Sequence, residues 1–191
     1  MSGDDVYLVR HGETAWSITG QHTGLTDLAL TSRGEEQARA LYLRLKALKF
    51  DHVLSSPLQR ARRTCELAGF ADIATLDRDL LEWDYGRYEG RTRAEIRRER
   101  PDWEIFRDGC PGGESVAQIT ERADRVVSRL RALGGNILIF SSGHVLRVLA
   151  TRWIEGSTAL GRGLALDPAC VCMLGYDHAG LDRVIRLWNE R

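Results

Sequence analysis

Val6-Tyr7-Leu8-Val9-Arg10-His11-Gly12-Glu13-Thr14 is the stretch that decides how this chain folds. Its first four residues form a short apolar run, which reads as a buried strand. An arginine and a histidine stand at the carboxyl end of that run, followed by a glycine that lets the backbone turn sharply and approach a ligand. Working outward, Ser17 to Asp27 is polar and glycine-bearing and reads as a loop. Thr31 or Ser32 then caps a helix whose apolar face is Ala38, Leu41, Leu45 and Leu48. His52 to Ser56 is a second strand, and Pro57 opens a helix running from Leu58 to about Ala68.

Farther along, Leu76 to Glu82 reads as extended or irregular, and Pro101 splits Arg91–Asp108 into two short helices. Gly109, Pro111, Gly112 and Gly113 mark a break. A long helix follows from Ser115 to Leu133, closed by Gly134-Gly135. Asn136 to Phe140 is the clearest strand, and Ser142-Gly143-His144 leads from it into a helix reaching about Ile154. Val171–Tyr176 and Arg183–Trp188 pair as a closing hairpin. Alternating strands and helices give an α/β fold with a largely parallel central sheet between helical layers. Ligands bind such sheets beyond the carboxyl ends of the strands. Three strand ends carry polar clusters: Arg10-His11, Ser55-Ser56 leading to Arg60, and Ser142-Gly143-His144.

The 191 residues are 43% hydrophobic and 28% charged, which excludes disorder and collagen-like structure and fits one domain spanning 1–191. Lys+Arg and Asp+Glu are both 27, so the net charge is zero and the global footprint of a nucleic-acid or membrane binder is missing. Lys46 and Lys49 are the only lysines; the other cations are arginines. That usage suits a handler of compact anions and equally a GC-rich genome. No apolar run approaches the ~18 residues of a membrane span. The acidic Met1–Asp5 is unlike a secretory leader, so a cytoplasmic location is expected. Cys65, Cys110, Cys170 and Cys172 form no C-x-x-C pair and match no zinc module, so reduced thiols are expected.

Taken one at a time, the polar residues have plain readings. Arg10 and His11 could be a solvated arginine and a capping histidine. Arg60 could belong to a surface run with Arg62 and Arg63, and Glu82 could be a solvated loop acid. Taken together they point elsewhere. Two guanidiniums near a helix N-terminus favour a phosphate, which each can grip bidentately without losing its charge. A carboxylate beside Trp83 and Tyr85 suits a general acid.

Leu8-Val9-Arg10-His11-Gly12-Glu13-Thr14 resembles the signature of the histidine phosphatase superfamily, which includes the phosphoglycerate mutases. Thr23-Gly24-Leu25-Thr26-Asp27, Ser55-Ser56-Pro57-Leu58-Gln59-Arg60-Ala61 and Glu82-x-x-Tyr85-Gly86-x-x-Glu89-Gly90 occur in the family's order and spacing, so the likeness runs from Val6 to about Trp153. Trp16-Ser17, Glu82-Trp83-Asp84-Tyr85-Gly86 and Phe106-Arg107-Asp108-Gly109-Cys110 look like the sedoheptulose-1,7-bisphosphatase branch and related bacterial acid phosphatases. The resemblance implies a phosphoglycerate mutase-like three-layer fold. It implies His11 as nucleophile, Arg10 and Arg60 as phosphoryl binders and Glu82 as proton donor. It implies substrate contacts from Ser17, Thr23, Gly24, Tyr85, Ser142, Gly143 and His144, and neither metal nor cofactor.

One position departs from the family. Its pattern His-Gly-x-x-x-Arg, counted back from Arg147, places Ser142 where the second histidine is expected, with His144 two residues later. Ser142 could be an engineered inactivating change. It could be a natural variant partly compensated by its own hydroxyl or by His144, or the mark of a phosphate binder without turnover. The expected activity is hydrolysis of small phosphomonoesters, sugar phosphates or bisphosphates, through a phosphohistidine. Mutase-type phosphotransfer is the alternative, disfavoured because family mutases carry an insertion where Arg91–Glu114 is short. Low-activity or non-catalytic phosphate binding is the other. Specificity is expected from Arg91–Glu114 and Glu155–Pro168. The expected partner is a small phosphorylated substrate rather than nucleic acid or membrane, and a homo-oligomer is left open. His22, in the substrate-facing loop, is expected to be a solvated residue, with a ligand contact as the alternative, and Cys170 and Cys172 to be core packing.

Overall fold

The computed structural model describes residues 4–191; Met1–Gly3 of the acidic N-terminus lie outside the described residues. In chain order the elements are β1 (Val6–Arg10), α1 (Ala15–Thr19), α2 (Ser32–Leu45), β2 (His52–Ser55), α3 (Gln59–Leu67), β3 (Ala74–Leu76) and α4 (Arg93–Glu99). They continue with α5 (Ile105–Asp108), α6 (Val116–Leu133), β4 (Ile137–Ser141), α7 (Gly143–Trp153), β5 (Val171–Asp177) and β6 (Asp182–Glu190). Six strands form one sheet in the order β3-β2-β4-β1-β5-β6. The first four are mutually parallel, as the alternating pattern predicts, β5 runs antiparallel to β1, and β6 pairs antiparallel with β5 as the expected hairpin.

Strand alternation divides the core between the two faces of the sheet. Leu8, Ile137, Ile139, Cys172 and Leu174 pack with Ile119, Ala123 and Val126 of α6 and with Leu146 and Leu149 of α7. Val9, Leu138, Phe140 and Val171 pack with Leu41 and Leu45 of α2 and Cys65 of α3. β4 lies between two parallel neighbours, and all five of its residues are buried. Cys170 and Cys172 are buried core residues with free thiols. Among the described residues no helix is long and apolar enough to cross a membrane.

Register brings the chemistry to one edge. Arg10 lies opposite Ser141 in the β1–β4 pair, and Ser55 lies opposite Phe140 in the β2–β4 pair. The Arg10-His11 turn, the Ser55-Ser56 turn and the N-terminus of α7 therefore sit side by side at the carboxyl end of the sheet.

Local details differ from the sequence reading for identifiable reasons. The stretch read as a loop from Ser17 overlaps α1, which Thr14 starts by capping the Ser17 amide while Ser17 caps back, and Gly20 ends in the left-handed region. The α2 helix stops at Leu45, so Leu48 lies beyond it and is exposed. Pro57 lies outside α3, which begins at Gln59 with Leu58 as its N-cap. β3 was not anticipated: three residues at a sheet edge leave no periodic signal. The segment 155–168 holds a 3-10 helix at Thr158–Gly163.

The turn after β1 is seated directly on α2. A Cβ on Gly12 would collide with the Gly34 carbonyl, and a Cβ on Gly34 would collide with the backbone of Glu13. This backbone-to-backbone contact leaves no flexible atom to yield. Gly34→Ala is expected to cost ~1–3 kcal/mol, the usual range for overpacking. Gly163→Ala, with nothing within 4 Å of the new methyl, is expected to be neutral. Urea denaturation of both variants checks this, and equal midpoints would refute it.

Candidate active site

A cleft of about 200 Å³ opens at the carboxyl edge of the sheet. Arg10, His11, Ser17, Thr23, Glu82, Tyr85, Gly143 and His144 line it, together with His22, Arg147 and Leu166. Arg60, Gly24 and Ser142 lie behind its wall: Arg60 and Ser142 are wholly enclosed and Gly24 is buried.

His11 is 4% exposed, and its Nδ1 lies 2.8 Å from the Gly12 carbonyl oxygen. A carbonyl only accepts, so Nδ1 carries the proton and Nε2 keeps its lone pair. Burial pushes the imidazole well below its ordinary value, and the Arg60 and Arg10 charges push it farther down. The ring is therefore neutral and nucleophilic at physiological pH.

Arg10 donates through Nη1 to the Leu166 carbonyl, while its enclosed Nε has no protein partner. The close approach of Gly143, whose Cβ would lie 3.3 Å from Arg10 Nε, shows why a side chain is disfavoured there. Arg60 behaves differently from the sequence expectation of a two-pronged grip. Its Nη1 donates to Thr26 O at 2.9 Å, and its Nη2 donates to Thr23 O at 3.0 Å and Gly24 O at 2.8 Å. Only its buried Nε is left without a partner. Arg60 thus ties the loop of residues 23–26 to α3 and projects its charge at His11 from behind the cleft. Thr23 and Gly24 serve that tie through their carbonyls, and Gly24 N donates to Glu89 Oε1 at 2.8 Å.

Glu82 is 4% exposed and fixed at both oxygens. Oε1 accepts from Trp83 N at 2.9 Å and Val145 N at 2.8 Å, and Oε2 accepts from His144 N at 2.9 Å. Two of these donors are orphan amides at the start of α7, so the carboxylate caps that helix. Ser142, the N-cap by position, makes no side-chain cap bond; its Oγ is buried without a partner. Glu82 carries out the capping that Ser142 does not.

Sequence reasoning missed three contributors. Arg122 of α6 donates to the Asp79 and Leu81 carbonyls, both at 2.7 Å, and forms a two-pronged pair with Glu114 at 2.7 Å. It straps down the segment that carries Glu82. Arg147 lines the cleft, donates through Nε to Gly161 O at 2.8 Å and stacks its guanidinium 4.6 Å from the Phe106 ring centre. His22 is not a solvated loop residue: it is half-buried and stacked on Tyr85 at 4.8 Å, with its Nε2 enclosed. Family-like spacing alone pointed to the neighbourhood of His22, but its burial depends on Tyr85 and Trp103, which are remote in sequence.

Tyr85 Oη and His144 Nδ1 are 2.6 Å apart. Burial raises the Tyr85 phenol well above its usual value, and the Glu82 charge adds to this. Burial, with Arg147 and His22, lowers His144 well below its own. Phenol and imidazole are therefore both neutral, and they share one short hydrogen bond between Oη and Nδ1. Among the described residues no group of three or more His, Cys, Asp and Glu is placed to hold a metal ion.

Comparisons with known proteins show what the chain is similar to. The family model of the histidine phosphatase superfamily (branch 1) matches residues 6–191. The chain is 42% identical over 175 residues to an acid phosphatase of Mycobacterium tuberculosis, covering 90% of this chain and 86% of the relative. It is 38% identical over 179 residues to a sedoheptulose 1,7-bisphosphatase of Saccharomyces cerevisiae, covering 76% of this chain and 66% of that protein. A solved structure of an open reading frame product of Mycobacterium tuberculosis superposes with a TM-score of 0.92 at 39% identity, covering 97% of each chain.

The three lowered histidines make stability depend on pH. His11, His22 and His144 stay neutral in the fold below their ordinary 6.5, while the unfolded chain binds protons there. Stability is expected to fall as the pH drops through about 6.5, and the His22 contribution keeps falling until about 4. Urea denaturation between about pH 7 and pH 5 reads this slope. A His22→Gln variant is expected to show a shallower decline, and an identical decline would contradict the assignment.

Proposed function

This chain belongs to the histidine phosphatase superfamily, and we propose that it hydrolyses phosphomonoesters of small metabolites, sugar phosphates foremost, through a phosphohistidine on His11. The carrying observation is the pairing of a neutral His11, with Nε2 free to attack, and two arginines whose buried Nε groups have no protein partner. Similarity to relatives named as phosphatases supports the reading.

The substrate phosphoryl group enters beside Arg10, under the field of Arg60. His11 Nε2 attacks phosphorus as the ester P–O bond breaks, and the guanidiniums carry the charge on the phosphoryl oxygens. The ester enters as its monoanion, and the proton it brings passes to the cleft-facing Glu82 carboxylate, which hands it to the departing alkoxide. Water then attacks the phosphoimidazole, Glu82 takes the water proton, the P–N bond breaks and neutral His11 returns. Fixed arginine charge does the work a divalent ion does in other phosphoryl-transfer sites, so the reading requires no metal. The short Arg91–Glu114 segment favours hydrolysis over mutase-type transfer. His144, neutral and held by Tyr85, lines the cleft near the place where the family's second histidine stands.

Leaving-group dependence tests these roles. Glu82→Gln is expected to lose about 10²–10⁴-fold in kcat on a sugar phosphate, whose alkoxide needs a proton. It should lose far less on p-nitrophenyl phosphate, whose phenolate leaves unaided. His11→Ala is expected to be inactive on both. Equal losses on the two esters for Glu82→Gln would remove Glu82 as proton donor, and turnover by His11→Ala would remove the nucleophile.

A further inference from the structure

Two residues of β6, Trp188 and Asn189, stand opposite a single residue of β5, Cys172: the pairs on either side are Val171 with Glu190 and Met173 with Leu187. This is a β-bulge, which bends a strand and re-aims its side chains. Asn189 takes a left-handed backbone there, with φ 58°, and its amide donates to Cys172 Sγ at 3.2 Å.

The bulge turns two side chains onto the segment that precedes β5. Trp188 Nε1 donates to Ala165 O at 2.6 Å. Asn189 Oδ1 accepts from Asp167 N at 2.7 Å, and its Nδ2 donates to Asp167 Oδ2 at 3.4 Å. Between these two anchors lies Leu166, which is buried, lines the cleft and offers its carbonyl to Arg10 Nη1. Farther along, Ala169 N donates to the Arg10 and His11 carbonyls, both at 3.1 Å, from a second left-handed backbone with φ 55°. Arg10 N in turn donates to Cys170 O at 3.3 Å. Residues 165–170 therefore hold Arg10 by side chain and backbone, and are themselves held by β6.

A left-handed backbone is unfavourable for an L residue, less so for asparagine than for alanine. It persists only where the surroundings over-determine it. Two such residues sit on this one connection between the bulge and the phosphoryl-facing arginine. Arg10 depends on it: among the described residues the Leu166 carbonyl is the only side-chain hydrogen-bond partner of its guanidinium. Asp167 lies near enough for its charge to act on Arg10, yet it pairs with Arg191 at 2.6 Å and leaves the Arg10 fork to the cleft. Resting on the phosphatase reading above, we infer that Trp188 and Asn189 are positioning residues for Arg10. The bulge clamps residues 165–167, and the clamp sets the guanidinium that receives the phosphoryl oxygens. A misplacement of about 1 Å, transmitted from a residue outside the chemistry, costs up to about 10²-fold in rate.

Asn189→Gly separates the clamp from the bulge, because glycine adopts the left-handed backbone freely and only the side-chain bonds are lost. Calorimetric binding of orthovanadate, a five-coordinate mimic of the phosphoryl group in transfer, and of inorganic phosphate reads Arg10 without turnover. Asn189→Gly is expected to weaken vanadate about tenfold, the worth of one charge-assisted hydrogen bond, and phosphate by less. Its kcat should fall to a similar extent, and equally on a sugar phosphate and on p-nitrophenyl phosphate, since both esters share the phosphoryl contacts. Trp188→Phe keeps a ring and deletes the indole N–H, and should move the same readings the same way by a smaller factor. Beside Arg10→Gln, Asn189→Gly should add less than about a twofold loss, because the two act through one guanidinium. A clamp that served stability alone would lower the urea midpoint and leave both anions bound as in the wild type. That result would overturn the assignment, as would unequal losses on the two esters or a full tenfold loss retained beside Arg10→Gln. Should Asn189→Gly fail to fold, unchanged vanadate binding in Trp188→Phe would overturn it equally. Anion binding that follows these expectations, without turnover of any ester, would overturn the hydrolysis reading alone; a wild type that binds neither anion would overturn both.

Discussion

Everything at the carboxyl edge of this sheet depends on positive charge that the protein leaves unneutralised. Arg60 is wholly buried, Arg10 is half-buried with its Nε enclosed, and among the described residues neither has a carboxylate at ion-pair distance. Burying a guanidinium without an ionic partner is costly. The cost is tolerated because backbone carbonyls absorb part of each charge: Leu166 for Arg10, and Thr23, Gly24 and Thr26 for Arg60. What remains adds to burial in keeping His11 neutral, and awaits an anion. The same charge that would hold a phosphoryl group therefore also prepares the nucleophile that attacks it.

The second organising element is Glu82, which caps α7 and faces the cleft at once. Helix start and candidate acid are thereby locked into one geometry. This changes how Ser142 is to be understood. The turn before α7 does not rely on the Ser142 side chain, because the helix amides of His144 and Val145 are already satisfied by Glu82. A serine can occupy the position without unravelling the turn, and Tyr85 holds the His144 ring in place two residues farther on. The Arg122–Glu114 strap fixes the other side of the Glu82 segment, so the carboxylate is held from α6 and α7 together.

The fold was legible because its signals are local. The apolar runs at Val6–Val9 and Ile137–Phe140 stand directly before the polar turns, and strand, turn and helix are each written in consecutive residues. The placement of Arg10 and His11 in the cleft followed from their position at a strand end, and that of Glu82 from the family-like spacing of Glu82-x-x-Tyr85-Gly86. What escaped the sequence was set by distant partners. Arg122 looks like any helix arginine until Asp79 and Leu81 arrive beneath it, 43 and 41 residues away. Arg60 was expected to point its fork at the ligand. Its fork instead meets carbonyls of a loop 34 to 37 residues earlier. His22 reads as a polar loop residue until Tyr85 and Trp103 cover it. The edge strand β3 is too short to show a period, and Leu48 fell outside its helix because helix ends are set by capping and packing rather than by apolar spacing.

The central claim is that neutral His11, under the charge of Arg10 and Arg60, takes a phosphoryl group covalently. Rapid acid-free quenching during turnover of a phosphomonoester, followed by peptide mass spectrometry, measures this directly. The account predicts a gain of one phosphoryl group on the peptide containing His11, at nitrogen, lost on brief acid treatment and absent from His11→Ala. Product release with no such adduct, or an adduct on another residue, would contradict it.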